Sequence, residues 1–363
     1  MNVIAVEDDK VLRFLQVLLD PATSGERLAV FADYVAHDLD QGAWLAAARR
    51  RLHGLFPSAV RLIGARDELP AALATADALV VESLAIGEAE LAQAPRLRFI
   101  QQFGTRAGAI DRAACARRGV VVMTQRRRTN IAVAEHTLAL ILGLAKQLHR
   151  LAGKVTVARI EALGSRYRPY DTRHTGANNF GRFGGVRVIH GLTLGLLGFG
   201  EIAREVVPLA RAFGLSLQYH CRHRLPAAEE AALGIEYRDW NGLFESADIL
   251  SVHLPLNAAT RGSVDAAALE RMKPGGWLIN TARADIVDQA ALAAALGSGR
   301  LAAAASDVHY QEPVAADDPL LAFDNFLMTP HYAGGPRQTL LADIEEIAAN
   351  IRRALAGSPE AGG

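Results

Sequence analysis

The sequence has few cysteines, few lysines and no excess of charge of either sign. Its 363 residues include two cysteines, too few for a disulfide framework or a paired-cysteine metal motif. We therefore expect no metal and a reducing compartment. The 39 basic residues are balanced by 39 acidic ones. Without a net charge the chain offers no overall field to nucleic acid or to an anionic membrane, so we expect neither as a partner.

A secretory signal and long hydrophobic runs are also missing. Acidic residues directly follow the short apolar run at the N-terminus, unlike the pattern of a signal peptide. The most apolar long stretch, residues 131–145, is interrupted by Glu135 and His136 and is too short to span a bilayer. We therefore expect a cytoplasmic protein. Half of the residues are apolar and 21% are charged, which is typical of a globular chain, and the length suggests two domains.

Short apolar runs typical of strands alternate with helical patterns along almost the whole chain. This alternation predicts an α/β fold of two Rossmann-like, doubly wound parallel-sheet domains. Residues 129–150 predict a long helix with Thr129 or Asn130 as its N-cap. Residues 161–190 lack a clear period and predict a long loop. Further helices are predicted over 41–56, 69–76 and 336–356, and strands over 2–7, 76–82, 97–103, 119–123, 192–198, 215–220, 247–255, 275–282, 301–308 and 326–330.

The segment from Leu194 to Ala203 carries the strongest local motif. It places Gly198-x-Gly200-x-x-Ala203 directly after an apolar strand and directly before a helical pattern. Gly198 permits a tight turn, Gly200 lets the backbone approach a pyrophosphate, and Ala203 permits close packing of the helix on the strand. Because the free amides of the helix N-terminus then face the phosphates, the motif predicts a dinucleotide-binding site.

The next strand indicates which dinucleotide binds. NAD-binding domains usually end this strand with an acidic residue that accepts hydrogen bonds from the ribose hydroxyls. Here Cys221 takes that position, and Arg222 and Arg224 follow it. Since no carboxylate repels a 2′-phosphate and guanidinium groups suit one, we expect NADP(H) in preference to NAD(H). Only four of the 39 basic residues are lysines, so arginine is common throughout and the missing acid is the sounder part of this argument.

Three polar residues follow successive strands of the second half of the chain: Arg283, Glu312 and His331. Hydride transfer to a carbonyl needs a proton donor that works near neutral pH, and histidine is suited to this. A neighbouring carboxylate orients the imidazole, and an arginine binds a substrate carboxylate and polarises the carbonyl oxygen. Each residue alone also fits a structural role. Together, after a dinucleotide motif, they predict a catalytic set with His331 as acid/base, Glu312 as its partner and Arg283 on the substrate.

From about residue 76 onward the chain resembles the D-2-hydroxyacid dehydrogenases, the family that includes D-glycerate, glyoxylate/hydroxypyruvate, D-lactate and phosphoglycerate dehydrogenases. The resemblance implies an enzyme that interconverts a 2-keto acid and a D-2-hydroxy acid with a nicotinamide cofactor. It also implies a homodimer built through the helix that contains Glu135 and His136. The segments that carry it are FGTRAGAID (103–111), NIAVAEHTLAL (130–140), LTLGLLGFGEIARE (192–205), ADILSVHLPLNAATRG (247–262), LINTARADIVDQAALAAAL (278–296), ASDVHYQEP (305–313) and TPHYAGG (329–335).

The resemblance also assigns residues to the cofactor and to the substrate. It places Asp307 near the nicotinamide carboxamide, Thr281 and Ala282 along the nicotinamide, and Leu254, Pro255 and Thr260 on the adenosine and ribose side. The expected substrate residues are Thr105, Arg106, Arg283 and His331. The full set of expected cofactor residues is Gly198, Gly200, Glu201, Ile202, Cys221, Arg222, Arg224, Leu254, Pro255, Thr260, Thr281, Ala282, Asp307 and Gly334.

The sequence also predicts the domain boundaries. We expect a discontinuous substrate domain, residues 1–124 plus 336–363, and a cofactor domain, residues 125–335, with the active site in the cleft between them. Two other functions stay open on this scaffold. One is a nucleotide-sensing binding protein like the family's transcriptional corepressors, which keep the catalytic residues; the other is a phosphite-type oxidation. A formate dehydrogenase would carry glutamine at the position of Glu312.

One segment departs from the family pattern. The substrate loop usually reads G-x-G-x-D-x-I-D, whereas residues 104–111 have Arg106 at the second glycine and Gly108 at the first aspartate. Our hypothesis is that Arg106 faces the substrate and favours a second acidic group or a bulkier acid; the alternative is an arginine that points to solvent. Binding of glyoxylate and of a dicarboxylic keto acid to the wild type and to Arg106→Ala distinguishes the two, and an unchanged variant contradicts the hypothesis.

Overall fold

The chain forms two structural units, each held together by contacts among its own residues. The computed structural model describes residues 1–164 and 166–357. Unit 1 comprises Met1–Asn130 with Gly335–Gly363, and unit 2 comprises Ile131–Gly334. The chain therefore passes between the units at 130/131 and 334/335, close to the boundaries expected at 124/125 and 335/336. Residue 165, in the predicted loop 161–190, and residues 358–363, at the end of the predicted substrate domain, lie outside the described residues.

Unit 1 contains a five-stranded parallel sheet. Its strands are β1 (Asn2–Glu7), β2 (Ser58–Ile63), β3 (Ala78–Val81), β4 (Phe99–Gln102) and β5 (Val121–Met123). They lie in the order β2-β1-β3-β4-β5, which is the flavodoxin-like doubly wound order. Of the four strands predicted in this half, β1 is confirmed at its predicted bounds and β3, β4 and β5 are confirmed with shorter ends, whereas β2 was not predicted.

Unit 2 contains a seven-stranded parallel sheet in the order β12-β11-β10-β9-β6-β7-β8. The chain order reverses between β6 and β9, as in the dinucleotide-binding Rossmann fold. All six predicted strands are confirmed, and only the two-residue β8 was missed. The strands are β6 (Thr193–Leu197), β7 (Ser216–His220), β8 (Glu236–Tyr237), β9 (Ile249–Val252), β10 (Gly276–Asn280), β11 (Leu301–Ser306) and β12 (Phe326–Met328). The predicted fold class is therefore confirmed for both units.

The helices connect the strands. They are α1 (Phe14–Leu19), α2 (Gly25–Val35), α3 (Gln41–Arg51), α4 (Leu69–Leu73), α5 (Glu88–Ala92), α6 (Arg112–Arg117), α7 (Arg128–Ala145), α8 (Leu148–Leu151), α9 (Val157–Glu161), α10 (Glu201–Ala212), α11 (Ala227–Leu233), α12 (Trp240–Ser246), α13 (Ala266–Arg271), α14 (Gln289–Gly297) and α15 (Arg337–Leu355), with 3-10 turns at Arg66–Glu68, Ala284–Ile286 and Pro319–Ala322. Within the predicted loop, residues 162–164 and 166–190 contain no helix or strand. No helix among the described residues has the length and apolar character needed to cross a membrane.

Two helix predictions need correction. Helix α7 begins at Arg128, so Thr129 and Asn130 lie inside its first turn and neither is the N-cap. The Arg128 amide instead donates to the carboxylate of Asp343 on α15, at 3.0 and 3.2 Å. The helix also ends at Ala145, since Gln147 adopts a left-handed conformation with φ of 50°. The predicted helix 41–56 ends at Arg51.

Several helices begin at an aspartate whose side chain accepts a hydrogen bond from a backbone amide of the first turn, which is a stabilising N-cap. These caps are Asp40 for α3, Asp111 for α6, Asp239 for α12, Asp265 for α13 and Asp288 for α14. Helix α10 differs, because its N-cap is Gly200 and no side chain caps it.

Each sheet is buried on both faces. In unit 1, Ile4 and Val6 belong to one core cluster and Ala5, between them, belongs to another. In unit 2, Leu196 and Leu197 divide between two clusters in the same way. Successive strand residues point to opposite faces, so helices cover both sides and polar chemistry is left to the strand ends.

Candidate active site

The turn from β6 to α10 can be built only with glycine at its first position. Gly198 has φ of +95°, and a Cβ on it would lie 2.6 Å from the carbonyl oxygen of His253. Its amide donates to the carbonyl of His220 at 2.9 Å. Around Gly200, by contrast, nothing lies within 4 Å of the position that a Cβ would take. The turn is thus packed against β9 at Gly198 and open at Gly200.

These residues fit a dinucleotide. Leu197 at the end of β6 pairs with His220 of β7 on one side and Val252 of β9 on the other, so the glycine turn lies at the point where the strand order reverses. The first turn of α10, with Glu201 and Ile202, has no side-chain cap, and a helix N-terminus is a favourable position for a phosphate. Leu254 and Pro255 follow β9 at the same edge, and the Thr260 hydroxyl donates to the Pro255 carbonyl at 2.6 Å.

His253 lies behind this turn. Its Nε2 lies 2.9 Å from the Ser251 hydroxyl, and burial lowers the pKa of His253 to about 4. The imidazole is therefore neutral near pH 7, and it adds no positive charge beneath the glycine turn.

A pH dependence of stability follows from His253. In the unfolded chain a histidine pKa is about 6.5, so between pH 6.5 and 4 the unfolded state binds a proton that the folded state does not. The free energy of unfolding should therefore fall as the pH drops through this window, by up to about 3 kcal/mol. Urea denaturation at several pH values measures this. His253→Gln should flatten the slope, while His149→Gln, at an exposed histidine, should not; equal slopes in both variants would contradict the assignment.

The loop after β7 contains the residues expected to choose the cofactor. Cys221 is half-buried, and its thiol donates to the His223 carbonyl at 3.0 Å. Arg224 makes two bonds to Glu230, at 2.9 and 2.8 Å. These bonds and one from Tyr219 lower the pKa of Glu230 to about 2. Arg224 therefore already has an acidic partner. Arg222 is exposed and makes no hydrogen bond or ion pair with the described residues.

Three adjacent strands bring the catalytic candidates to one edge of the unit 2 sheet. Asn280 at the end of β10 is in register with Ser306 at the end of β11, which is in register with Met328 at the end of β12. Arg283, Glu312 and His331 follow these three strands in turn. The sequence prediction had placed them only at strand ends; the sheet order makes those strands neighbours.

Glu312 and His331 are in direct contact. His331 Nδ1 lies 2.7 Å from Glu312 Oε2, and both side chains are partly exposed. The other oxygen of Glu312 accepts a bond from the His309 amide at 3.0 Å. Burial acts to raise the pKa of Glu312, but the bonds from His331 and His309 outweigh it and the pKa lies below its ordinary value. Glu312 is therefore a carboxylate that orients the imidazole and leaves His331 Nε2 for a ligand.

Arg283 presents a guanidinium without an acidic partner among the described residues. Its side chain is exposed and donates to the neighbouring Ala282 carbonyl at 2.6 Å. Asn280 fixes the backbone, since its amide nitrogen donates to the Arg283 carbonyl at 2.9 Å and its oxygen accepts from the Ala282 amide at 3.0 Å. Thr281, which precedes Ala282, is buried, and its hydroxyl lies 3.0 Å from the hydroxyl of Thr137. Arg283 is thus held in place and free to bind an anion.

Asp307 is almost fully buried, and its carboxylate holds the segment that carries His331. It accepts bonds from the Thr329 hydroxyl at 2.6 Å and from the Tyr332 and Ala333 amides at 3.1 and 2.8 Å. Gly334 follows directly and is the last residue of unit 2. The sequence prediction gave Asp307 to the cofactor but did not detect its contacts with the Thr329 hydroxyl and with His136 Nε2, 3.5 Å away, because these residues lie in distant segments.

The expected substrate loop belongs to unit 1. Thr105 and Arg106 lie between β4 and α6 and are exposed. Arg106 makes no ion pair among the described residues, which fits both orientations considered for it. Elsewhere in the described ranges, no group of three or more His, Cys, Asp and Glu side chains is arranged to hold a metal.

Comparisons with known proteins identify the family. A family model described as the NAD binding domain of D-isomer specific 2-hydroxyacid dehydrogenase matches residues 138–333. A glyoxylate reductase of Aeropyrum pernix is 37% identical over 261 residues, 72% of this chain and 74% of that protein. A D-3-phosphoglycerate dehydrogenase of Mycobacterium bovis is 34% identical over 80% of this chain, which spans only 52% of that protein.

A solved structure extends the likeness in fold. The crystal structure of a glyoxylate reductase from Paecilomyes thermophila superposes with a TM-score of 0.57 at 22% identity, covering 99% of each chain. At this identity the match speaks for the fold alone. The family model goes further, because it matches residues 138–333 within unit 2, and the relative from Aeropyrum pernix is 37% identical over 72% of this chain. The chain belongs to the family of D-isomer specific 2-hydroxyacid dehydrogenases.

Proposed function

We propose that the protein interconverts a 2-keto acid and a D-2-hydroxy acid, with a preference for NADP(H). The observation that carries this proposal is the 2.7 Å contact between Glu312 and His331, at the edge of the sheet where Arg283 offers an unpaired guanidinium. A bound nicotinamide cofactor supplies or accepts the hydride. The chain's own residues transfer the proton and bind the substrate carboxylate.

The proposed roles follow from the bonds already made. Because Nδ1 of His331 is bound to Glu312, Nε2 is the atom that gives a proton to the keto oxygen during reduction and takes it back during oxidation. Glu312 stabilises the imidazolium form, as a neighbouring carboxylate does. Arg283 binds the substrate carboxylate, and its charge polarises the adjacent carbonyl.

Screening tests this function directly. NADPH oxidation is followed with glyoxylate, hydroxypyruvate, pyruvate and larger 2-keto acids, because a hollow of about 600 Å³ beside His331 is lined by Val314, Leu321 and Met328. We expect turnover with at least one of them and tolerance of apolar side chains. Tight NADPH binding without turnover across the series would favour a nucleotide-sensing binding protein instead.

The cofactor preference is proposed to rest on Arg222. Arg222→Ala should lower the ratio of kcat/KM with NADPH to that with NADH by about 10-fold or more, since a bond to a charged group contributes about 1.5–3 kcal/mol. Arg224→Ala is the matched variant: because Arg224 is bound to Glu230, we expect a smaller change in that ratio and a lower Tm. Steady-state kinetics with both cofactors and thermal unfolding measure this. A larger loss of preference in Arg224→Ala would contradict the assignment.

A homodimer through unit 2 is also proposed. Of the thirteen large apolar side chains that are exposed in the described residues, seven lie between Leu148 and Val188. Such a concentration is typical of a surface that another chain covers. Light scattering coupled to size exclusion measures the mass in solution, which we expect to be twice that of one chain; a monomer at micromolar concentration would contradict this proposal.

A further inference from the structure

His136 and Thr329 form a buried connection to the segment that carries His331. His136 lies on α7 and Thr329 follows β12, nearly two hundred residues later in the chain. His136 Nε2 lies 3.0 Å from the Thr329 hydroxyl, and that hydroxyl donates to Asp307 at 2.6 Å. Since the hydroxyl proton points to Asp307, the Nε2–H of His136 must donate to Thr329. A directed chain of hydrogen bonds thus runs from α7 to Asp307.

Asp307 connects this series of hydrogen bonds to the backbone beside His331. It accepts the amides of Tyr332 and Ala333, which directly follow His331. The Thr329 carbonyl accepts bonds from the His331 amide at 2.9 Å and from His309 Nε2 at 2.8 Å. The segment is therefore held on both sides of His331.

The backbone of His331 makes such support necessary. Its φ is +52°, in the left-handed region that side-chain-bearing residues seldom adopt. A residue in this conformation persists only where its surroundings impose it, at a cost of about 1–3 kcal/mol. The bonds to Asp307 and Thr329 are the ones that impose it here.

His136 is suited to a fixed, neutral role. Burial lowers its pKa, against the opposing effect of Asp307, and the ring of Tyr332 packs edge-on at 4.8 Å. A neutral imidazole that donates from Nε2 fixes the orientation of the Thr329 hydroxyl. His136 and Tyr332 also lie on the two segments through which the chain enters and leaves unit 2.

We propose that His136 and Thr329 are positioning residues for His331, acting through Asp307 to hold its left-handed backbone and its bond to Glu312. They touch neither substrate nor cofactor in this account. The proposal rests on the proposed role of His331 in proton transfer, but its structural half can be tested without turnover.

Thr329→Val removes the hydroxyl at nearly constant volume, and Thr329→Ser keeps it. We expect kcat to fall about 10-fold or more in Thr329→Val, with KM for NADPH within about twofold of the wild type, and to recover in Thr329→Ser. His136→Phe should resemble Thr329→Val, and the double variant should be no worse than either, since both break one chain of bonds. His53→Phe, at an exposed histidine in unit 1 and away from the segment 148–188, is the control.

Nitrogen-15 spectra of labelled histidine in the cofactor-free protein supply the second measurement. The His331 signals are assigned by their loss in His331→Asn, and the Nδ1 shift reports the bond to Glu312. We expect the shift to change in Thr329→Val and to be kept in Thr329→Ser. Unchanged kcat and an unchanged Nδ1 shift in Thr329→Val would overturn the proposal. So would equal losses in the valine and serine variants, or a uniform loss of NADPH binding and Tm. If His331→Asn leaves turnover intact, the proposed function fails, while the spectra still decide the positioning role.

Discussion

Replacing His331 with alanine should lower kcat by about 10³-fold, while the dissociation constant of NADPH changes little. General acid–base catalysis by a positioned side chain contributes about 10²–10⁴-fold, and loss of the imidazole also leaves Glu312 without the partner that it contacts at 2.7 Å. The glycine turn and α10 follow a different strand, β6, so they are untouched by this change.

Single-turnover kinetics and fluorescence titration with NADPH measure the two effects of His331→Ala separately. Glu312→Gln should cause a smaller loss in kcat, because the amide still accepts a bond from Nδ1 without the negative charge. His53→Ala is the matched control, since His53 is an exposed histidine of unit 1, away from the segment 148–188. Wild-type turnover in His331→Ala would remove the basis of the proposed mechanism.

Alanine at either glycine of the β6–α10 turn should weaken NADPH binding, but for different reasons. In Gly198→Ala the new Cβ would meet the His253 carbonyl at 2.6 Å, at a φ of +95°. Since that contact is backbone, it cannot move aside cheaply, and the strain alone costs about 1–3 kcal/mol. We expect a clearly lower Tm and NADPH affinity reduced by 100-fold or more (on the order of 3 kcal/mol).

Gly200→Ala is the matched variant. No atom lies within 4 Å of its Cβ position and its φ is −90°, so the fold should accept a methyl group and the Tm should stay near that of the wild type. NADPH should nevertheless bind more weakly, because the methyl group occupies the surface that the pyrophosphate approaches. Thermal unfolding and titration together decide this. Equal affinity in Gly200→Ala and the wild type would place the phosphates elsewhere.

The strands were predicted well where a run of neighbouring apolar residues marks them. β6, β9 and β10 are predominantly apolar runs bounded by turns, and the structure confirms them. β2 was missed because Arg61 interrupts its apolar residues and two predicted helices flank it. The start of α7 was misplaced because its amide is capped by Asp343, 215 residues away. Partners at that distance leave no trace in a local window.

The same distinction holds for the candidate site. The glycine turn could be predicted, since its residues are consecutive and each has a steric reason. The contact between Glu312 and His331 could be expected because both follow strands that pair in the sheet. The partner of Arg224, by contrast, depends on how α11 packs, and the bonds among His136, Thr329 and Asp307 join three separate segments. The sequence did not mark His136 and Thr329 as residues of this site, and only the fold shows their connection to Asp307.

The proposed reaction reduces a 2-keto acid to the D-enantiomer of the hydroxy acid. Chiral chromatography of the product, formed with NADPH from the best substrate of the series, tests this most directly. We expect a single D-enantiomer whose formation matches NADPH consumption and is lost in His331→Ala. An L-enantiomer, a racemic product, or equal product from His331→Ala would contradict it.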